Sequence, residues 1–153
     1  MRTKARLLKA VIDAAIAGDD EPVPMPARDW AARAEAATEP AEFVAVFAEV
    51  LVDSAQRAAG LTAVALEAAR IDKDIAAVAA QLASQRQSMA AWLVDGLIER
   101  SPLREGIDRA GAIDTVWALL DPILFCHLTA DRQWSAARFQ HWFADSTLRL
   151  LLP

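Results

Sequence analysis

Arg86 is the residue whose type and surroundings point most directly to binding chemistry. It recurs at helical spacing with Leu82 and Met89, so a helix places its charge on an otherwise apolar face. A guanidinium there can orient an acidic or carbonyl-bearing ligand through its fork of N–H donors. Two other interpretations stay open, namely an ion pair with Asp114 or Asp121 and a side chain that extends to water.

Cys126 and His127 are the other candidates for reactive groups, but their spacing argues against a joint role. Adjacent residues of a helix point about 100° apart, so these two cannot act as a nucleophile and its base. We expect Cys126 to be an inert buried thiol. For His127, a hydrogen-bonded polar residue is favoured over a pH-sensing or ligand role. His141 is expected to be solvated, and the two histidines do not make a metal site.

Composition and motifs favour a single all-α domain over residues 1–153 and disfavour an enzyme. The chain has 153 residues, of which 55% are hydrophobic, with 5 glycines and a net charge of −5. Alanine is abundant and is the best helix former. The sequence contains no phosphate-binding loop, nucleophile elbow or zinc-binding helix motif. We therefore predict no catalytic residue, no metal and no cofactor. The acidic balance argues against direct binding of nucleic acid, and no apolar run spans a membrane, which favours the cytoplasm.

Start and stop signals divide the chain into six to seven helices. The predicted helices cover residues 3–17, a short turn near 29–30, then 40–60, 62–70, 73–100, 108–129 with a bend at Pro122, and 135–152. Gly60 is expected to end the third of these. Three alternating prolines make residues 19–26 an extended connector. We expect its acidic residues to form a solvated loop, with cation binding as a remote alternative.

The predicted helix over residues 108–129 is apolar on both flanks. Such a helix must be covered on two sides, and a chain with so few helices can cover only one. The last helix has a small residue among aromatic ones, which allows a neighbouring helix to approach closely. We therefore predict a symmetric dimer with a four-helix interface over residues 108–152. Its interface residues are Leu119, Phe125, Cys126, Phe139, Trp142, Phe143, Ser146 and Leu150.

Several segments of the chain resemble TetR-family transcriptional regulators. Residues 112–122 (AIDTVWALLDP), followed by 133–135 (QWS) and the leucine-rich end, resemble the last two helices of that family. Residues 17–24 are similar to the segment that closes its linking helix. Residues 103–108 are similar to the loop that precedes its dimerisation helices. The resemblance extends over essentially the whole chain and is carried by a pattern spread over helices.

The TetR resemblance implies an effector-binding and dimerisation domain without its DNA-binding part. Family members begin with a helix-turn-helix, whereas this sequence begins at the linking helix, residues 1–17. The chain is therefore expected not to bind DNA on its own. Whether the gene lacks that part or the start was trimmed stays open. A full-length TetR-like relative is a possible partner besides a second copy of the chain.

The resemblance also implies that a small apolar effector binds inside the subunit. Its predicted contacts are Phe43, Phe47, Val50, Leu82, Arg86, Met89, Leu93 and Trp117. The alternative for each apolar position is ordinary core packing. The five tryptophans are expected to pack with their indole N–H groups bonded to carbonyls. The alternative function is a helical protein-interaction module, a heterodimerising modulator without a ligand. An enclosed cavity of several hundred Å³ lined by these residues would favour effector binding, and a tightly packed interior would favour the interaction module.

Overall fold

The computed structural model describes residues 3–153, which form an all-helical bundle without strands. This confirms the predicted all-α fold of six to seven helices. Residues 1 and 2 of the predicted linking helix lie outside the described residues. The helices are α1 (Thr3–Ala17), α2 (Asp29–Ala36), α3 (Pro40–Ala68), α4 (Lys73–Arg100), α5 (Arg109–Leu119), α6 (Pro122–Cys126) and α7 (Ala136–Leu151). Short turns at Met25–Ala27 and His127–Asp131 complete the helical segments.

Side-chain caps set the start of four helices. Asp72, Asp108, Asp121 and Ser135 precede α4, α5, α6 and α7, and each accepts a hydrogen bond from an N–H of the first turn. An N-cap satisfies a backbone donor that has no partner within the helix. These helix starts therefore follow from local sequence alone.

Gly60 does not end a helix, and the predicted helices at 40–60 and 62–70 are one helix, α3. A Cβ atom at position 60 would have no other atom within 4 Å. Around it, Ala58, Ala59, Thr62 and Ala65 are buried. A glycine inside a helix costs only about 1 kcal/mol relative to alanine. Burial of the apolar stripe that continues past Gly60 outweighs that cost.

The helix predicted over residues 108–129, with a bend at Pro122, is two helices that meet at that point. It breaks at Asp121, whose backbone is extended with φ −66° and ψ 122°. Pro122 has no N–H to continue the helical ladder, and the Asp121 carboxylate instead accepts a hydrogen bond of 2.7 Å from Ile123 N. The segments before and after the break are bent by 42°.

Two clusters of buried residues make the core. The larger one surrounds α3 and contains the aromatic residues Trp30, Phe43, Phe47 and Phe143. The smaller one joins α1 to the later part of α3 and the start of α4, with Ile12 among its members. Gly96 of α4 lets the Phe43 ring approach the helix backbone, since a Cβ there would lie 2.2 Å from the ring.

Within residues 3–153, no single helix has the length and apolar composition needed to cross a membrane. The bent pair formed by Arg109–Leu119 and Pro122–Asp131 meets the length and composition requirement only when its two parts are taken together.

Candidate functional site

A cleft of about 870 Å³ lies between the helices of the bundle. Pockets for small molecules commonly measure roughly 300–1,000 Å³ and are mostly apolar. Its walls come mainly from α1, α3, α4, the α5–α6 junction and the connector before α2, and α2, α6 and α7 contribute one aromatic residue each. Exposed connector residues belong to its lining, so the cleft reaches the surface. Residues of both core clusters also line it, Phe47 from the larger and Leu82 from the smaller.

Five of the eight predicted ligand contacts line this cleft. They are Phe47, Val50, Leu82, Arg86 and Met89. These residues come from α3 and α4, whose apolar stripes face each other across the cleft.

The other three predicted ligand contacts have a different role. Phe43 and Leu93 do not line the cleft and are fully buried in the larger cluster. Phe43 lies one turn from the cleft residue Phe47 in α3, and Leu93 lies one turn from the cleft residue Met89 in α4. A single turn of each helix therefore separates the cleft wall from the packed core. Trp117 lies beneath the guanidinium of Arg86, 3.7 Å from ring centroid to Cζ, and also stays out of the lining.

Some predicted dimer contacts point inward instead. Leu119, Phe125 and Phe139 line the cleft, where Phe125 and Phe139 pack edge to face at 4.8 Å. Phe143 has no exposed surface and stacks on Phe47. The two apolar faces were assigned as if they continued along the whole of residues 108–129, and the helix break at Asp121, with its 42° bend, interrupts them. Because Phe125, Phe139 and Phe143 are buried by their own chain, they have almost no surface left to bury against a second copy.

The remaining predicted dimer contacts keep free surface. Cys126, Trp142 and Ser146 are half-buried, and Leu150 is 43% exposed. Burial raises the pKa of the Cys126 thiol, and the nearby carboxylates of Asp131 and Asp121 add to that effect. A raised thiol pKa disfavours the reactive thiolate, in agreement with the expected inert cysteine.

Arg86 is fixed at the cleft wall by two contacts. Its guanidinium covers the Trp117 ring, and its Nη1 lies 2.9 Å from Asp121 Oδ2. The ion pair with Asp121 was one of the predicted alternatives, and it is the one that forms. The Nη1 atom is buried, and the Asp121 carboxylate is its charged partner. The side chain is 15% exposed, which leaves its donors inside the cleft wall rather than in bulk water.

Trp30 is a cleft residue that the sequence did not single out. It is 8% exposed, lines the cleft and packs against Phe47 and Trp92. Its Nε1 is buried and has no hydrogen-bond partner, so the expected bond from this indole to a carbonyl is absent. The sequence feature that could have identified Trp30 as a cleft residue is its position at the start of a helix, directly after the proline-rich connector.

The connector forms one wall of the cleft, which the sequence also did not predict. Residues 19–26 line it, and Arg28 holds this segment together. Its guanidinium bonds the Asp19 carboxylate at 2.6 and 2.8 Å and the Val23 carbonyl at 3.1 Å. The hydrogen bond from Arg28 and another from Glu21 N lower the pKa of Asp19 to about 2. The connector has no helix over residues 19–24, as predicted, but Met25–Ala27 form a short 3-10 helix, because proline is tolerated in a first helical turn. Asp19 is paired with Arg28 rather than only solvated.

The histidines bring no further chemistry to the cleft. His127 is 64% exposed, and its Nδ1 lies 2.7 Å from Asp131 Oδ2. His141 is exposed, as predicted. Over the described part of the chain, no group of three or more histidine, cysteine, aspartate or glutamate side chains could hold a metal ion. The cleft therefore offers shape and a largely apolar surface, which suit the binding of a small molecule.

Comparison of the chain with protein-family models, curated proteins and solved structures finds no match.

Proposed function

We propose that this chain is a regulatory core of the TetR type, which binds a small, largely apolar effector and dimerises through residues 108–152. The observation that carries the proposal is the cleft of about 870 Å³ between α3 and α4. A packed interior would have favoured an interaction module instead. Most of the side chains around the cleft are apolar or aromatic, as in sites for small molecules.

The position of α1 supports a regulatory role for the bound molecule. In the TetR resemblance, α1 corresponds to the helix that links the core to a DNA-binding part. Ala10, Ala14 and Ala17 of α1 line the cleft. Arg57 of α3 donates hydrogen bonds of 2.8 and 3.1 Å to the carbonyls of Ala15 and Ile16. A ligand that touches α1 can favour one of its arrangements by binding that arrangement more tightly.

The proposal is tested by titration with N-phenylnaphthylamine, a neutral apolar probe whose fluorescence rises in an apolar site. We expect saturable binding at one probe per chain. Substitution Ala55→Phe adds a ring to the cleft lining and should weaken binding at least tenfold, a change of about 1.4 kcal/mol. Ala45→Phe, at an exposed position of the same helix, is the matched control and should leave binding unchanged.

Absence of saturable binding to the folded wild-type protein would contradict effector binding. Equal binding by the Ala55→Phe and Ala45→Phe variants would place the probe elsewhere on the molecule. Either result would leave the protein-interaction module as the better interpretation. Circular dichroism of all three proteins verifies that they are folded.

A further inference from the structure

The cleft follows one face of α3 over most of the length of that helix. Every turn of α3 from Phe47 to Leu66 contributes at least one residue to the lining. Positions three and four residues apart share one face of a helix, so these contributions form a continuous wall. At a rise of 1.5 Å per residue, the separation of Phe47 and Leu66 corresponds to about 28 Å along the helix axis.

The helices beside α3 follow the same direction and divide the cleft into two parts. In the first part, the Phe47 ring stacks on Trp92 of α4. In the second part, α1 lies beside α3, because Arg57 bonds the carbonyl of Ala15 near the end of α1. The walls of the second part are rich in small side chains, among them Ala10 and Ala14 of α1 and Ala55, Ala58 and Ala59 of α3. Alanine leaves open the space that a longer side chain would fill.

The length and the volume of the cleft together define its shape. A volume of about 870 Å³ spread over about 28 Å leaves a mean cross-section of roughly 30 Å². An α-helix with its side chains is about 10–12 Å across, which is too wide for this space. A compact ring system of the same volume would occupy less than half of the length. One extended hydrocarbon chain fits both dimensions.

The charges of the lining bear on the head group of such a molecule. The lining contains five carboxylates and one guanidinium, that of Arg86. Arg86 is already paired with Asp121 at 2.9 Å. Asp20 and Glu21 lie in the exposed connector, where the cleft meets water. Like charges repel at short range, so an anionic head group is disfavoured at this position.

We propose that the effector is a single-chain amphiphile, whose extended alkyl chain lies along α3 and whose head group is not anionic and lies at the connector. This inference rests on the proposed function, because it assigns a shape and a chemical class to the occupant of the same cleft. Burial of successive methylene groups supplies the affinity.

The first experiment compares 1-dodecanol with cyclododecanol on the wild-type protein. The two alcohols have the same number of carbon atoms and one hydroxyl group, but only the first can extend. Calorimetric titration should show dodecanol binding at least tenfold more tightly, after correction for the octanol–water partition of each alcohol. Between 1-octanol and 1-tetradecanol, each added carbon should tighten binding by about fourfold, the effect of one buried methylene group.

The second experiment tests whether the cleft is continuous. Ala55 lies about 12 Å from Phe47 and about 16 Å from Leu66 along α3, so a ring at position 55 divides the cleft. Extended tetradecanol measures roughly 19 Å and exceeds either part, whereas octanol fits in one. Ala55→Phe should therefore weaken tetradecanol at least tenfold and octanol less than about threefold.

Ala45→Phe, at an exposed position of α3, is the matched control and should change neither affinity. Thermal melting verifies that both variants fold. If Ala55→Phe does not fold, the comparison of dodecanol with cyclododecanol on wild type decides the proposal.

The outcomes separate this inference from the proposed function. Equal or tighter binding of cyclododecanol, or equal losses of octanol and tetradecanol in Ala55→Phe, would overturn the extended chain and leave effector binding intact. Tighter binding of laurate than of dodecanol at pH 7 would overturn the head-group assignment. Binding of N-phenylnaphthylamine without binding of any alkanol would overturn this inference alone. Failure of all these probes to bind would overturn the proposed function, and this inference with it.

Discussion

The guanidinium of Arg28 and the carboxylate of Asp19 form two parallel hydrogen bonds, 2.6 and 2.8 Å long, that close the connector between α1 and α2 into a loop. Two-point contact between arginine and a carboxylate fixes geometry as well as charge. The loop begins at Gly18, whose φ of +88° suits glycine. Because this segment walls the cleft, the pair controls the shape of the candidate site.

The Asp19–Arg28 pair should be visible in the titration of Asp19. The lowered pKa of about 2, compared with an ordinary value of 3.8, means that the folded state favours the ionised carboxylate. The stabilising effect is therefore complete above pH 3.8 and is lost as the pH falls through about 2. Carbon-detected NMR of the Asp19 carboxyl should give a midpoint near 2.

Arg28→Gln should return the Asp19 midpoint towards its ordinary value, because the first cause of the shift is the Arg28 hydrogen bond. Arg33→Gln, an exposed arginine on α2, is the control and should leave the titration of Asp19 unchanged. If the Asp19 carboxyl of the wild-type protein titrated with a midpoint near 3.8, the Asp19–Arg28 ion pair would not exist in solution.

Two glycines inside helices should respond to alanine in opposite directions. At Gly96 a Cβ would lie 2.2 Å from Phe43 Cζ, and the Phe43 ring is buried beneath Arg100. Overpacking of this kind costs about 1–3 kcal/mol. At Gly60 nothing lies within 4 Å, so alanine should gain roughly 0.5–1 kcal/mol from helix propensity.

Urea denaturation measures the free energy of unfolding of Gly96→Ala and Gly60→Ala against wild type. If both substitutions stabilise the protein, the close contact between α4 and Phe43 is wrong. If Gly60→Ala destabilises it, α3 is not continuous through that position.

Asp121 has two separable roles, and two substitutions distinguish them. One carboxylate oxygen caps α6, and the other faces Arg86. Asp121→Ala removes both, whereas Asp121→Asn keeps an oxygen that can cap the helix. We expect the alanine variant to be less stable than the asparagine variant by about 1 kcal/mol.

The same two variants in an Arg86→Met background isolate the ion pair. In that background, Asp121→Asn should lower the free energy of unfolding by less than it does in wild type, because Arg86 is no longer present to pair with the carboxylate. Urea denaturation of wild type, the two Asp121 variants, Arg86→Met and the two double variants provides the comparison. Equal losses from asparagine and alanine in wild type would exclude a capping role for Asp121.

The proposed dimer predicts which exposed apolar residue matters for assembly. Leu150 of α7 is 43% exposed and belongs to the predicted interface. Val64 of α3 is 67% exposed but lies outside the proposed dimerisation helices. Light scattering should show a dimer for wild type and for Val64→Lys. Leu150→Lys should weaken the dimer at least tenfold, or about 1.4 kcal/mol, because it buries an unpaired charge. A monomeric wild-type protein would contradict the dimer.

Much of the helical layout was predictable because its signals are local. Asp72, Asp108 and Ser135 mark the starts of their helices by capping nearby N–H groups. Ser101–Pro102 and Gly18 mark ends for equally local reasons. Gly60 misled the prediction, because its local cost is small compared with the burial available on both sides of it.

Part of the cleft was also predictable, because facing apolar stripes on α3 and α4 place Phe47, Val50 and Met89 on its walls. The same stripes could not show that Phe43 and Leu93 are packed solid while their neighbours one turn away border open space. Free volume depends on how far apart two helices lie, and no local pattern encodes that distance.

The amino-acid sequence by itself determined an all-α chain, the starts of its main helices and the presence of a charged Arg86 within an apolar stripe. Tertiary structure alone decided that Arg86 pairs with Asp121 rather than Asp114, that Trp30 lines the cleft, and that Phe125 and Phe139 face inward. The physical reason is the packing of the two helix segments that meet at the predicted bend, together with the folding back of the connector. Both place residues distant in sequence on one surface, and such contacts form only when the helices pack.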